Sequence, residues 1–409
     1  MRTFSDPEPL VWARTEGCRV WDGDGRSYLD LYAGFAVATI GYCHPAVTEV
    51  ISRQAGTMTH CPSAAPSEIR ADLYERLVNI APSGLTRVLL AVTGGLANET
   101  AIQLARAATG RSGVISFSGA YLGRTVGAVA YAGKHAYRDQ LGVRADAHFL
   151  PYPDPYRSPW SGGDVQAMVL ALLEDLLVDP ASGVEAPACI VVEPVQGNGG
   201  TVVPPRGFLA GLRRLCDSSG TLLIFDEIQC GFGRTGRMWA CDHEDVVPDL
   251  MTVGKGIGGG LPVAAVLGRD DVMNTWSADA VTSTFLTNTL TAAAACATID
   301  VLLAEGLVER SATLGARALD RLRGDLSNSP HVGDVRGRGL FLGIELVRDR
   351  ERRAPDPQVT GEVIGELRRG GVLVGRGGRH GNVIRICPPL VIGDHELEAG
   401  LATIVEVLA

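Results

Sequence analysis

The amino-acid sequence predicts an α/β fold: a large domain on a mostly parallel seven-stranded sheet, plus a smaller α+β domain drawn from both termini. Three observations carry this reading. Short, nearly continuous apolar runs stand at 87–92, 113–117, 147–150, 188–193, 222–226, 250–253 and 263–267, as strands do when both faces of a sheet are covered. Helical segments lie between several of them, the alternation of an α/β sheet. The residues with chemistry to offer cluster at the carboxyl ends of those runs, where such sheets bind ligands: Thr93-Gly94-Gly95, Glu193, Asp226 and Lys255.

In chain order, residues 17–31 read as a β-hairpin, two β-rich runs around Asp22-Gly23-Asp24-Gly25. Helical spacing follows at 66–80 and 97–109. The second segment sets Ala97, Ala101, Leu104, Ala105 and Ala108 on one face, with Gly110 as its stop. The strands come next, and from about 290 a long helical stretch opens. Strand-like pieces stand at 340–347, 372–374 and 383–386. Together with the N-terminal hairpin they make the expected small domain, so that 1–50 and 296–409 belong to it and 51–295 to the large one. The charged run 348–353 reads as a solvated loop. The Gly- and Arg-rich 375–381 reads as a hairpin turn, because no helix follows it to hold a phosphate.

The chain has 409 residues, 46% of them hydrophobic, enough for a large core. A net charge of −9 without any basic block argues against nucleic acid as a partner. Nine scattered cysteines with no C-x-x-C pair fit reduced thiols in a cytoplasmic protein. No apolar segment follows the basic start, and no apolar stretch is long enough to cross a membrane, so neither a signal peptide nor a membrane span is expected.

Lys255 is the most informative residue. It is one of only a few lysines in an arginine-rich chain, and it follows a buried strand within a run of glycines at 254, 256, 258, 259 and 260 that are expected to clear space around it. A lysine in a crowded, poorly solvated place has a lowered pKa and becomes a nucleophilic amine, as a Schiff-base lysine must be. The run is not a phosphate-binding P-loop: Asp249 stands where that pattern needs glycine, and Gly256 where it needs Ser or Thr. An earlier strand ends in Asp226-Glu227. Read alone, these could be metal ligands or a helix cap. Beside a lysine that holds pyridoxal phosphate, Asp226 would pair with the pyridinium nitrogen. Gly94 and Gly95 open a helix whose N-terminus suits a phosphate, and Tyr121 could stack on a flat ring. The acidic 242–245 segment reads as a solvated loop, because four consecutive residues cannot converge on one metal ion.

The order and spacing of these features resemble the class III aminotransferases, pyridoxal-phosphate enzymes of fold type I. The likeness runs over nearly the whole chain. It rests on Asp226-Glu227-Ile228-Gln229, Gly233-Arg234-Thr235-Gly236, Pro248-Asp249, Gly254-Lys255-Gly256 and Glu193-Pro194-Val195-Gln196-Gly197. The resemblance implies that Lys255 carries pyridoxal 5'-phosphate as a Schiff base and that Asp226 binds the pyridinium nitrogen. Ile228 and Tyr121 would cover the two ring faces, Gln229 would lie near the ring hydroxyl, and Gly94 and Gly95 would hold the phosphate. Ser283-Thr284-Phe285, followed by Asn288, is similar to the family segment whose threonine reaches the phosphate of a neighbouring subunit, which implies a homodimer with shared active sites. Arg385 looks like the arginine that clamps the substrate α-carboxylate, a bidentate job for a guanidinium fork. Phe35, Glu193 and the 58–65 stretch are the other expected contributors to the substrate pocket.

The implied activity is ping-pong transfer of an amino group from an amine or amino-acid donor to a 2-oxo acid or other carbonyl. Racemisation or epimerisation on the same fold, and amino transfer on amino sugars or other secondary metabolites, are the alternatives. Three departures bear on the site. Leu96 stands where the family has an acidic residue, and Leu122 where it has histidine. Asn198 stands where members acting on ω-amino acids have a glutamate that masks the carboxylate-binding arginine. The last points to donors that keep an α-carboxylate, or to a pyruvate-type acceptor.

Overall fold

The computed structural model describes residues 9–160, 162–277, 280, 283–286 and 288–409. Its central sheet has seven strands in the order Arg87–Ala91, Ala264–Gly268, Leu250–Val253, Leu222–Asp226, Cys189–Val192, Val114–Phe117, Ala147–Leu150. Neighbours from Leu250–Val253 to Ala147–Leu150 run parallel. Ala264–Gly268 alone is antiparallel to both its neighbours. The cause is the short connection: residues 254–263 lie between it and Leu250–Val253, fewer than the dozen or more that a parallel crossover needs.

Side chains along the middle strands alternate between two apolar clusters. Leu223 and Phe225 face one layer while Ile224 faces the other, with Ala97, Ala101 and Ile102 of the helix Gly94–Thr109. The period of two carries Asp226 to the same side as Ile224, beneath that helix. By the same count Thr252, next to Met251, also faces it. The site is built on that coincidence.

The expected hairpin is present as Arg19–Asp22 and Ser27–Asp30. Ser27–Asp30 pairs in parallel with Val372–Leu373, so the two ends of the chain share a sheet. A further sheet runs Val332–Arg338, Phe341–Asp349, Val383–Ile386, Gly375–Gly377, and 375–386 forms a hairpin as its turn residues predict. Val332–Arg338 is a strand that sequence patterning misses. Val-Gly-Asp-Val-Arg-Gly-Arg has two glycines and no apolar alternation, and pairing with the buried Phe341–Asp349 imposes the conformation.

The long helical stretch divides at Gly306 (φ 60°) into Thr289–Ala304 and Leu307–Asp325. Thr289–Ala304 is apolar all round because it is enclosed, packing on Pro45–Thr57 and Glu68–Ile80. No single helix among the described residues is long and apolar enough to cross a membrane. The 242–245 segment departs from the solvated loop expected of it. Its first half belongs to a 3-10 turn, Ala240–His243, in which Asp242 accepts from Trp239 N at 2.9 Å and His243 Nε2 lies 3.1 Å from the Thr235 carbonyl.

Leu307–Asp325 meets the backbone of Gly339 at Gly315, where a methyl group would land on the Gly339 carbonyl. Backbone cannot yield as a flexible side chain can. Gly315→Ala should therefore destabilise the protein by about 2–3 kcal/mol, at the upper end of overpacking costs. This would be read as a lowered urea midpoint at unchanged m-value.

Candidate active site

Asp226 ends its strand with its carboxylate buried. Asn98 Nδ2 donates to Oδ2 at 2.7 Å, and Ile228 N donates to Oδ1 at 3.0 Å. Asn98 also donates to the Leu122 carbonyl at 2.8 Å and accepts from Thr252 Oγ1 at 2.7 Å. Burial pushes the Asp226 pKa up against these bonds and against Lys255. Among the described residues no cation forms an ion pair with it, so a buried anion stands ready for a positive group.

Lys255 opens a tight turn after Leu250–Val253 and has φ 45°, in the left-handed region that costs a side chain about 1 kcal/mol or more. The surrounding glycines pack this turn into the core more than they clear space for the amine. A Cβ on Gly254 would touch Ala264 and Ile228, one on Gly256 would strike Thr39, and one on Gly259 would lie 2.8 Å from Thr298 Oγ1. The Lys255 amine makes no hydrogen bond or ion pair among the described residues. Loss of solvent lowers its pKa below the usual lysine range. The Asp226 and Glu193 carboxylates oppose that shift, and Arg385 adds to it.

At the other side of Asp226, Thr93 caps the helix Gly94–Thr109, its hydroxyl accepting from Leu96 N at 3.3 Å. The first N–H groups of a helix have no internal partner, so this end can take a phosphate. Gly94 admits no side chain there, since a Cβ would lie 2.8 Å from Ile228 Cδ1, whereas one on Gly95 would only touch Gly123 Cα at 3.4 Å. Ile228 thus bridges the Gly94 turn and the Gly254–Lys255 turn. Gln229 packs its amide against Gly197. Tyr121 is half-buried, edge-on to Tyr137 with ring centroids 6.0 Å apart. Glu193 uses both oxygens on backbone, accepting from Tyr121 N at 3.1 Å and Gly197 N at 2.8 Å. It therefore orients two loops. Its pKa is pushed up to about 7, by burial first and by Asp226 next.

Arg385 enters from the Val383–Ile386 strand and is 1% exposed. Its Nη1 donates to the Tyr32 hydroxyl at 2.9 Å, while Nε and Nη2 are buried without any partner. Asn198 does not engage it: Asn198 Nδ2 lies 3.4 Å from the Tyr137 hydroxyl and its carbonyl accepts from Gly378 N. Phe35 is 69% exposed at φ 68°, its ring 5.2 Å from that of Tyr32. Thr284 is exposed beside the exposed Phe285. Asn288 caps Thr289–Ala304 and donates to Thr59 O, and Thr289 donates to Met58 O at 2.6 Å, so both anchor the 58–65 stretch.

Asn98, Thr252 and Tyr32 were not read from sequence. The available signal for Asn98 was a lone amide in an alanine-rich helix face, where such residues seldom stand without a partner. Leu122 is buried, and its carbonyl enters the Asn98 network, so the polar support of Asp226 survives the loss of the family's histidine. Glu227 turns away from Asp226: it holds Ala240 N and Cys241 N at 3.0 and 2.8 Å, so the two carboxylates do not share an ion.

The residues fit pyridoxal phosphate: a buried carboxylate without a cation, an unpartnered amine of lowered pKa, and a glycine-lined helix start joined to both through Ile228. Comparison with known proteins agrees. The family described as Aminotransferase class-III matches residues 2–408. Acetylornithine aminotransferase of Methanopyrus kandleri is 39% identical over all of this chain and 96% of its own. 4-Aminobutyrate aminotransferase of Escherichia coli is 37% identical, covering 97% of this chain and 92% of its own. The crystal structure of a PLP-bound amine transaminase from an uncultivated Pseudomonas species superposes with TM-score 0.92 at 31% identity, covering 100% of this chain and 97% of its own.

Two outcomes follow. The chain has only two lysines, Lys134 and Lys255. Borohydride reduction in the presence of pyridoxal phosphate should label the Lys255 peptide in the native protein and leave Lys255→Ala unlabelled there by peptide mass. Asn98→Ala removes a charge-assisted bond worth about 1.5–3 kcal/mol, so cofactor affinity should fall about ten- to hundredfold. The Asn98 bond lowers the Asp226 pKa, so its loss raises that pKa further. Asp226 pairs with a pyridinium only when ionised, that is, above its pKa. The acid-side loss of cofactor binding should therefore begin at higher pH in the variant, as followed by absorbance titration.

Proposed function

The chain belongs to the class III aminotransferases, which use pyridoxal phosphate, and from that premise we propose that it moves an amino group from an α-amino acid to a pyruvate-type 2-oxo acid. Its relatives are aminotransferases, so amino transfer is retained over racemisation. Bound pyridoxal phosphate supplies an electron sink for the charge left when the substrate Cα loses its proton. In our reading the Lys255 amine, deprotonated more readily than an ordinary lysine, would serve as the base that takes the proton from the substrate Cα and as the acid that gives it back. Asp226, held by Asn98, keeps a proton on the ring nitrogen. The N–H groups of Gly94 and Gly95 bind the phosphate, and Ile228 and Tyr121 confine the ring. Gln229 lies by the ring hydroxyl. Arg385 receives the substrate carboxylate.

One observation carries the substrate class. Arg385 has two buried, unpaired donors, and among the described residues no carboxylate forms an ion pair with it. A desolvated guanidinium left in that state favours a substrate carboxylate strongly. The test is a half-reaction screen with one donor at a time, followed by acceptors. Alanine-type donors and pyruvate should react; tight use of ornithine or 4-aminobutyrate with 2-oxoglutarate would overturn the reading. Arg385→Gln should raise the KM for the oxo acid about a hundredfold, within the cost of truncating a buried charge pair.

We also propose a cytoplasmic homodimer acting on small molecules and engaging neither nucleic acid nor membrane. Its support is the exposure of Phe35, Val126 and Phe285, 69%, 65% and 62% exposed, and the free state of all nine cysteines. In this dimer Thr284 completes the phosphate site of the neighbouring protomer. Mixing Lys255→Ala and Thr284→Ala protomers should then restore one intact site per heterodimer. Without a shared site, no rescue would occur.

A further inference from the structure

The Tyr32–Arg385 contact is built with unusual care. On a guanidinium, Nε and one Nη share an edge, and the other Nη lies on the far side. Tyr32 takes Nη1 at 2.9 Å, leaving Nε and Nη2 free. The rings of Tyr32 and Phe341 flank the cation, with centroids 5.4 and 5.6 Å from Cζ. Gly375 and Gly377, two apart on the strand paired with Val383–Ile386, face the same side. A Cβ on Gly375 would collide with the Tyr32 ring, and one on Gly377 with the Arg385 stem.

The main chain at Tyr32 carries strain. Ala33, Gly34, Phe35 and Ala36 all lie in the left-handed region, with φ of 47°, 53°, 68° and 61°. Such a turn costs L-residues about 1–2 kcal/mol each. Asp30 offsets it, accepting from Tyr32 N at 2.8 Å, Gly34 N at 3.0 Å and the Tyr42 hydroxyl at 2.6 Å. The Tyr32 carbonyl accepts from Ala36 N and from Cys387 Sγ. A turn this costly, clamped at one end by a buried carboxylate, delivers the Tyr32 hydroxyl to Arg385. Burial holds that hydroxyl above the usual phenol range although Arg385 pulls the other way, so it stays neutral.

We propose that Tyr32 is the specificity-determining counter-group of Arg385: a neutral hydroxyl that positions the guanidinium, leaves its charge uncancelled, and makes the site select substrates with a carboxylate beside the reacting carbon. This rests on the reading of Arg385 as the carboxylate clamp. An acidic counter-group would neutralise the arginine and let it tolerate amines that bring no carboxylate. A hydroxyl cannot, so such an amine leaves a desolvated cation unpaired. Asn198, turned toward Tyr137, takes no part.

Tyr32→Phe removes one oxygen atom and keeps the ring. The expected result is a roughly tenfold rise in KM for pyruvate with kcat changed less than threefold. The kcat/KM ratio of L-alanine over benzylamine should fall by a similar factor, with Tm and the cofactor absorbance retained. Tyr32→Gln, which keeps an acceptor oxygen, should recover part of the lost affinity. Equal losses for both donors, or an unchanged pyruvate KM, would overturn the proposal. Arg385→Gln, assayed alongside, separates the two readings. If it leaves the pyruvate KM unchanged, the clamp itself is wrong. If it raises that KM while Tyr32→Phe does not, only the role of Tyr32 falls.

Discussion

A carboxylate buried without a cation governs this structure. Asp226 sits at the end of a strand enclosed on both sides, and taking it out of water is costly. Its neighbours are arranged to offset that cost. Asn98 and Ile228 N donate to it directly, and Thr252 and the Leu122 carbonyl hold Asn98 in turn. The same loss of solvent acts with opposite sign on the nearby groups. It lowers Lys255, an amine, and raises Glu193, an acid. One low-dielectric pocket therefore lowers the pKa of an amine and leaves a buried carboxylate without a cation.

The Arg385 end of the site depends on parts of the chain far from the central sheet. Arg385 stands on a strand whose neighbour, Phe341–Asp349, carries Glu345. Glu345 pairs with Arg336 and Arg157, and Arg336 Nε donates to the Gly200 carbonyl at 2.9 Å. This ion network ties the loop that follows Glu193 to Phe341–Asp349, the strand paired with the one that carries Arg385. Arg234 adds a second tie, donating to the Leu340 and Pro388 carbonyls. Buried pairs of this kind are poor sources of net stability but are costly to break on one side. Their effect here is to fix the distance between the two ends of the site.

The central strands, the hairpin at Arg19–Asp30 and the strand-end positions of Glu193, Asp226 and Lys255 were legible because each follows from a local pattern. A strand covered on both faces must be apolar throughout, and the first polar residue after it must lie at the sheet edge. Val332–Arg338 was illegible because its pairing partner, not its own composition, makes it a strand. The 242–245 turn was illegible for a related reason. Glu227, remote in sequence, holds Ala240 N and Cys241 N and shapes the turn before it. The Lys255 glycines, expected to clear space around the amine, instead let the turn pack closely, because the neighbours they admit, Thr39, Thr298 and Ile228, come from three distant segments.

Order along the chain carries the family resemblance: a lysine and an aspartate at adjacent strand ends, a glycine-opened helix, and an arginine near the C-terminus. Periodicity and spacing encode these because they act over a few residues. The partners that tune each group required the fold. Asn98 reaches Asp226 across 128 positions, and Tyr32 reaches Arg385 across 353. Nothing in either neighbourhood announces the other, since only closure of the sheets brings them within a hydrogen bond. The sequence thus places the candidate groups at strand ends, while tertiary packing shifts their protonation and decides which buried charge stays unpaired.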